Sequence, residues 1–491
     1  MNTFLAINIC LAYIQYAHAA LNFQFNHNNQ SHLMKRDDFN SDFEAGSTAA
    51  PIIDLYFGSQ KQKIPIILDT GSFTPFLQST DVSKNKGFDY KSSSSYEDKH
   101  QDFSVQYADS TSYKGTWSED DVSNTENGQK FKLNFGLVTN ASTQGVSSDT
   151  NVFGLGFDYD KPTLIDDLKD NNVISRKTFS IYSSANDHSL GQITFGAIDT
   201  EKYTGDLVAV PLRSSGNGYV WWTYLTDLSA GCKSATGGNT YFISFDCGYT
   251  TGVTLPSAVH EKLMNNFDAF YESDSQNYVF DCDNATPLEV EVMGHKIEVP
   301  TSGFTKKVKN SDKCVLQNIN VGSDDNTITF GWVFFPYIYG VFDAENKELL
   351  FGKPVTDTSD SHIEDLHDSI PGSTQASLYS SVSDAVTTNS ISRTSVQTSS
   401  TSIELEGTGV SSQGSCGNKR LARRFSLAAD NTPTLATHVY EAVSETASAG
   451  SNVTANSSTA VPVSQYEDSA STFGQTSFIL MLFSGIVALL F

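Results

Sequence analysis

Ile66-Ile67-Leu68-Asp69-Thr70-Gly71-Ser72 is the stretch from which the fold is read. Three apolar residues lead into an aspartate, and a glycine follows two positions later. That order describes a buried strand ending in a tight turn, with the carboxylate held at the turn. The turn's amides and the Ser72 hydroxyl are then placed to hydrogen-bond the carboxylate and hold its charged form. One carboxylate does little for peptide hydrolysis. Two that share a proton and flank a water do more, because like charges a few ångströms apart do not both ionise. A second Asp-x-Gly after an apolar β run is therefore expected about one domain further on. Tyr241-Phe242-Ile243-Ser244-Phe245-Asp246-Cys247-Gly248 supplies it, followed by Leu255-Pro256 and a helical stretch.

Between Asp37 and Val355 the chain alternates short apolar or aromatic runs with Gly, Asn, Asp and Ser clusters. PIIDLYFG, KLNFGLVTN, QITFGAID and ITFGWVFFPYIYGVFD are examples. These are strand and turn signals, and helical stretches are expected only near 162–172 and 257–270. The predicted fold class is all-β. At 491 residues, 38% of them apolar, the chain has enough material for real cores. Its formal net charge of −25 argues against a nucleic-acid partner. The same charge suits either plain solubility or work at low pH, where carboxylates are protonated.

Further motifs follow Asp69 in order. They are Phe103-Ser104-Val105-Gln106-Tyr107-Ala108-Asp109-Ser110, Gly115-Thr116-Trp117, Asp120-Asp121-Val122, Phe153-Gly154-Leu155-Gly156-Phe157 and, late in the chain, FGWVFFPYIYGVFD at 330–343. Together with the two Asp-x-Gly turns they make residues 37–355 resemble the pepsin-type fungal aspartic proteases, in the style of the candidapepsin and yapsin group. The resemblance implies two β lobes, 37–205 with a flap and 206–355, each giving one aspartate to a cleft that binds extended peptide. It implies Asp69 and Asp246 as the catalytic pair, supported by Thr70, Gly71, Ser72 and Gly248. Tyr107 lies at the flap tyrosine, and Asp109 at a flap position associated with a basic side chain before the scissile bond; a solvated turn aspartate is the plainer reading of Asp109. Cys282 and Cys314 match the family's C-lobe disulfide. Protein or peptide substrates, a monomer, and no metal or cofactor are also implied.

The pattern fails in places. Cys247 and Tyr249 stand where the family carries small hydroxyl residues, and a thiol is the weaker donor and acceptor. Thr250, one residue further on, is a candidate substitute for the missing hydroxyl. Phe76 replaces a tryptophan that bonds the flap tyrosine, and the usual N-lobe disulfide is absent. A Cys232–Cys247 disulfide is an alternative use of the odd cysteine.

The ends read as addresses. Residues 1–19 are a signal peptide closed by Ala17-His18-Ala19, and 20–36 a short pro-segment cleaved after Arg36 of the Lys35-Arg36 pair, unless that pair is fortuitous. Of the 122 residues in 356–477, 44 are Ser or Thr, so 356–469 is expected to be a disordered, O-glycosylated stalk. Lys419-Arg420 and Arg423-Arg424 offer a second processing site or a solvated basic spot. Residues 470–491 end in FILMLFSGIVALLF and form a GPI-attachment signal with Ser469 as the attachment residue; a tail-anchored helix is the alternative. Sequons at Asn140, Asn284, Asn452 and Asn456 agree with export. The expected place is the cell surface, at the plasma membrane, in the wall, or both. Three functions fit: an acid endopeptidase, a catalytically impaired relative kept as a peptide-binding or structural wall protein, and an adhesin-like wall protein.

Overall fold

The computed structural model describes residues 21–26 and 50–381, apart from 85, 107–111, 143–150, 158–160, 186–189, 214–218, 220, 251, 274–276, 323–325 and 357. Four further dipeptides, at 403–404, 424–425, 479–480 and 489–490, are also described. Arg36, Tyr107, Asp109, Asn452, Asn456, Ser469 and the basic pairs 419–420 and 423 lie outside these residues. No helix among the described residues is long and apolar enough to cross a membrane.

The fold is mostly β-sheet, as the strand and turn pattern predicts. In the first lobe a seven-stranded sheet runs in the order Ile52–Phe57, Gln62–Asp69, Val152–Gly154, Pro75–Gln78, Phe131–Ser142, Ser112–Ser123, Glu97–Gln106. The second lobe repeats the device around Asp246. Gln62–Asp69 pairs in parallel with Val152–Gly154, and Tyr241–Phe245 pairs in parallel with Thr327–Phe330. Each of those partners is flanked on its other side by an antiparallel strand, Pro75–Gln78 in one lobe and Val253–Pro256 in the other. The two Asp-bearing strands are themselves paired on both edges, Gln62–Asp69 also with Ile52–Phe57 and Tyr241–Phe245 also with Trp222–Ala230.

A third sheet joins the lobes. Its order is Leu21–Asn26, Leu190–Phe195, Thr178–Ser183, Tyr339–Asp343, Glu348–Pro354, Tyr203–Pro211, Ser373–Gln375, so strands from both halves of the chain interleave. Phe179 stacks on Phe342 at 4.6 Å, and both meet the Trp221 indole edge-on. Arg176 closes the same junction with a doubly bonded, buried ion pair to Asp343 (2.9 and 2.7 Å).

Helices form where expected, at Leu164–Asp170 and Ser257–Asn266. The first starts at a capping box between Thr163 and Asp166.

One boundary differs from the sequence reading, and the expected pro-segment contributes a strand. Residues 21–26, assigned to a pro-segment, form a strand of the lobe-joining sheet. The folded body does not stop at Val355 either. Residues 358–381 strap across that sheet, with Ile363–Asp365 paired to Ala197–Asp199 and Ser373–Gln375 paired to Leu207–Ala209. Leu366, Ile370 and Ala376 are buried there, Leu366 and Ile370 in a cluster with Tyr182, Ile198, Tyr339 and Leu350. Asp199 clamps the strap by accepting from the Ser361 hydroxyl (2.7 Å) and the His362 amide (2.8 Å). These apolar residues are spaced too irregularly among polar ones to show as a strand or helix period.

Two outcomes are expected. A chain ending at Val355 uncovers that cluster and, at ~2 kcal/mol for each large buried side chain lost, melts several degrees below one ending at Ser381 in a thermal scan. Asp167 gives the second. Burial outweighs its two hydrogen bonds from Asn134 and pushes its carboxyl up from 3.8 to about 7. The folded state therefore holds that proton more tightly than the unfolded chain. The resulting stability is full below the unfolded value and is lost as pH rises through about 7. Denaturant unfolding should therefore show stability falling as pH rises from 4 through about 7, and Asp167→Asn, which cannot titrate, should lose that part of the fall.

Candidate active site

Asp69 ends its strand and Asp246 follows the end of the other; they are 2% and 0% exposed. The Gly71 amide donates to Asp69 Oδ1 (2.8 Å) and the Ser72 hydroxyl to Oδ2 (2.7 Å). Asp246 Oδ1 accepts from the amides of Gly248 (2.9 Å) and Tyr249 (3.0 Å). Both turns thus aim donors at a carboxylate, as the first motif predicts.

The glycines report how close the two turns come. A Cβ on Gly71 would stand 2.6 Å from Asp246 Oδ2, and one on Gly248 would stand 2.5 Å from Asp69 Oδ1. Each carboxylate therefore rests against the glycine of the opposite turn, where no side chain fits. The sequence-predicted Asp69 and Asp246, 177 residues apart, are brought face to face.

Thr70 and Cys247 brace the turns. Thr70 Oγ1 donates to Phe245 O (2.7 Å) and accepts from the Cys247 amide (2.8 Å). Cys247 Sγ returns both bonds, donating to Leu68 O (3.2 Å) and accepting from the Thr70 amide (3.3 Å). The thiol thus completes the pattern that a hydroxyl was expected to make, with the longer reach of sulfur. Burial first, and then the nearby Asp69 and Asp246 charges, push its pKa well above the usual thiol range. It stays S–H, as donation to Leu68 O requires. Cys247 is a free thiol and Cys232 is bonded in another disulfide, so the Cys232–Cys247 alternative does not form. Cys282 and Cys314 are joined, as the resemblance implies.

Tyr249 contributes its amide but not its hydroxyl. The side chain is buried and its OH pairs with Thr254 Oγ1 at 2.7 Å. Thr250 does not substitute either: among the described residues its buried Oγ1 makes no hydrogen bond. Phe76 is fully buried against Phe103 and Tyr113. The flap strands Glu97–Gln106 and Ser112–Ser123 pair as a hairpin, while its tip with Tyr107 and Asp109 is outside the described residues. Asn140 and Asn284 are both exposed. No cluster of three or more His, Cys, Asp or Glu suited to a metal occurs among the described residues.

Sequence reasoning missed a line of contacts behind the site. Asp69 O accepts from the Leu155 amide (2.7 Å), Leu155 O accepts from Trp221 Nε1 (2.9 Å), and Trp221 packs on the lobe junction. The adjacent tryptophans Trp221-Trp222 were the available signal.

The duplicated Asp-turn architecture and its mutual brace are matched by kinship. The family profile "Eukaryotic aspartyl protease" matches residues 52–353. The chain belongs to that family. It is 28% identical over 323 residues to Secreted aspartic protease 3 of Candida albicans, covering 60% of this chain and 77% of the relative. Secreted aspartic protease 1 of the same organism is 30% identical over 327 residues (60% and 79%). The Acid protease of Saccharomycopsis fibuligera is 28% identical over 316 residues (60% and 78%).

Truncating the brace should show its worth. Cys247→Ala leaves the Thr70 amide and the Leu68 carbonyl buried without that partner, at ~1–3 kcal/mol each. A loss of ~2–4 kcal/mol is expected in urea unfolding, while Cys247→Ser, which keeps both bonds, should stay within ~1 kcal/mol of the parent.

Proposed function

We propose that this protein is an aspartic endopeptidase that works at acidic pH through Asp69, Asp246 and a water held between them. The observation that carries the reading is the pair of carboxylates, each seated against the other turn's glycine while it accepts from an amide of its own turn. At such separation one carboxyl keeps its proton while the other is charged. The charged one takes a proton from the water as it attacks the scissile carbonyl, and the protonated one donates to the carbonyl oxygen. The chemistry asks for no metal or cofactor. The flap hairpin, with Tyr107 and Asp109 at its tip, would cover an extended peptide, and Asp109 would favour a basic side chain before the cut.

The relatives named as secreted support export of this chain too. In this reading residues 1–19 direct secretion and cleavage after Arg36 matures the protein. Asn140, Asn284, Asn452 and Asn456 accept glycans. A GPI anchor at Ser469 then holds a monomer at the plasma membrane or in the wall on its Ser/Thr-rich stalk.

A second reading has one observation in its favour. The Tyr249 hydroxyl is turned to Thr254 rather than to the carboxylate, unlike Ser72 beside Asp69. On that reading the same cleft binds peptide without cutting it.

Peptide-library hydrolysis by the secreted protein from pH 3 to 6 separates the two. The peptidase reading expects a bell-shaped rate profile and a fall on the order of 10³ or more in kcat for Asp69→Asn and for Asp246→Asn. No cleavage by a folded, processed sample that still binds a peptide-like inhibitor would establish the binding-only reading instead.

A further inference from the structure

Trp221 lies between the two aspartate-bearing segments, and its backbone and its indole serve different ones. Its carbonyl accepts from the amide of Phe245 (3.3 Å), the residue before Asp246. Its Nε1 donates to Leu155 O (2.9 Å), in the first lobe. The side chain is fully buried, and three rings fix its plane. Phe157 lies at 4.8 Å, and Phe179 and Phe342 meet it edge-on at 5.3 and 5.1 Å.

The accepting carbonyl belongs to the peptide group that joins Leu155 to Gly156. The amide of that same planar group donates to Ser72 O (2.8 Å), and the Ser72 hydroxyl donates to Asp69 Oδ2 (2.7 Å). One peptide earlier, the Leu155 amide donates to Asp69 O (2.7 Å). The loop lies flat on the turn: a Cβ on Gly154 would stand 2.4 Å from Phe73 C and 2.6 Å from Ser72 O. Two of the five residues Phe153-Gly154-Leu155-Gly156-Phe157 are glycines, so the loop's own conformational preference is weak and an outside bond sets the direction of its carbonyl. Moving that carbonyl moves the Asp69 turn and the hydroxyl that supports its carboxylate. The corresponding loop beside Asp246 is tied within its own lobe, where the amides of Gly331 and Trp332 donate to Gly252 O (2.9 Å) and Tyr249 O (2.8 Å).

We propose that Trp221 is a positioning residue for the peptidase reaction: its indole N–H carries the placement of the Asp246 strand to the Asp69 turn. The inference rests on the reading of the two aspartates as a catalytic pair. The Thr70–Cys247 brace fixes how far apart the turns stand, and Trp221 fixes where the Ser72 hydroxyl points on the Asp69 side.

The test is Trp221→Phe in the full-length secreted protein, which removes the N–H and keeps an aromatic ring in the packed slot. If that variant does not fold, a benzothiophene analogue of tryptophan at position 221, of the same shape but without the N–H, takes its place. Phe179→Leu loosens the same junction while leaving the hydrogen bond, and is the control for stability. In peptide hydrolysis from pH 3 to 6, kcat should fall ~10–100-fold in Trp221→Phe with KM within ~3-fold of the parent. The acid limb of its rate profile should move to higher pH, because a donor slackened from the charged carboxylate favours the protonated form. The ionisable groups that face Asp69 are Asp246 and the Cys247 thiol, and the substitution alters neither. Phe179→Leu should melt at least as early as Trp221→Phe yet keep its acid limb in place. An unchanged kcat and profile in Trp221→Phe overturn the proposal, and so does the same pair of changes in Phe179→Leu. A second readout needs no turnover. With isotope-labelled aspartate, the NMR signal lost in Asp69→Asn identifies Asp69, and its titration midpoint should rise in Trp221→Phe alone. An unmoved midpoint overturns the proposal. A parent that cleaves nothing while the midpoint moves would sink the peptidase reading and leave the indole's hold on Asp69 standing.

Discussion

The mutual brace between Thr70 and Cys247 is the constraint on which the site depends. Four hydrogen bonds join two turns 177 residues apart, and each residue uses both its side chain and its amide. At ~1 kcal/mol apiece these bonds are too weak to hold two lobes together. Their work is geometric. They fix the turns at a separation where Gly71 and Gly248 face the opposite carboxylates, and where one extra carbon on either would collide. Amides aimed at carboxylates set the charge of the site only if the turns cannot drift, so the brace turns two local motifs into one site.

What holds the lobes is the sheet they share. Strands from both halves interleave there, so neither lobe can leave without breaking ladder hydrogen bonds. The Phe179–Phe342 stack and the Arg176–Asp343 pair sit at its centre. The Arg176 guanidinium also donates to Asp368 O in the C-terminal strap. A buried pair of this kind is weak evidence of net stability. It does commit three separated segments of chain to one arrangement, because each would leave a charge or carbonyl unmet elsewhere.

The pattern of what was legible follows from how each feature is encoded. Both aspartates, the two helices and the Cys282–Cys314 bond lie within local motifs or a strong family order, and the structure has them where the sequence placed them. Cys247 was misjudged because hydrogen-bonding capacity was weighed by residue type, while the outcome turned on direction. Sulfur at 3.2–3.3 Å reaches the same two backbone groups that an oxygen would need to approach more closely. Tyr249 was judged by its hydroxyl, but a backbone amide does not depend on side-chain identity, so the turn keeps its donor whatever residue stands there. The body's C-terminal limit was invisible for a different reason. Leu366, Ile370 and Ala376 are single apolar residues in a polar strap, held by a carboxylate in a distant strand, and no period in the local sequence announces such contacts.

The buried ionisable groups respond to acid in opposite senses. His260 and His295 are held below 6.5 by burial, so their contribution is full above that value and declines as pH falls through their folded ones. Glu348 acts in the opposite sense. Burial raises its carboxyl above 4.5, so its contribution is greatest at low pH and fades as the medium is neutralised. Asp199, which clamps the strap, is held below 3.8 because its hydrogen bonds outweigh its burial. The strap therefore keeps its charged anchor until the pH drops beneath that lowered value. The histidines weaken the fold on the way down while Glu348 strengthens it. A chain with a net charge of −25 also sheds self-repulsion as its surface carboxylates take up protons.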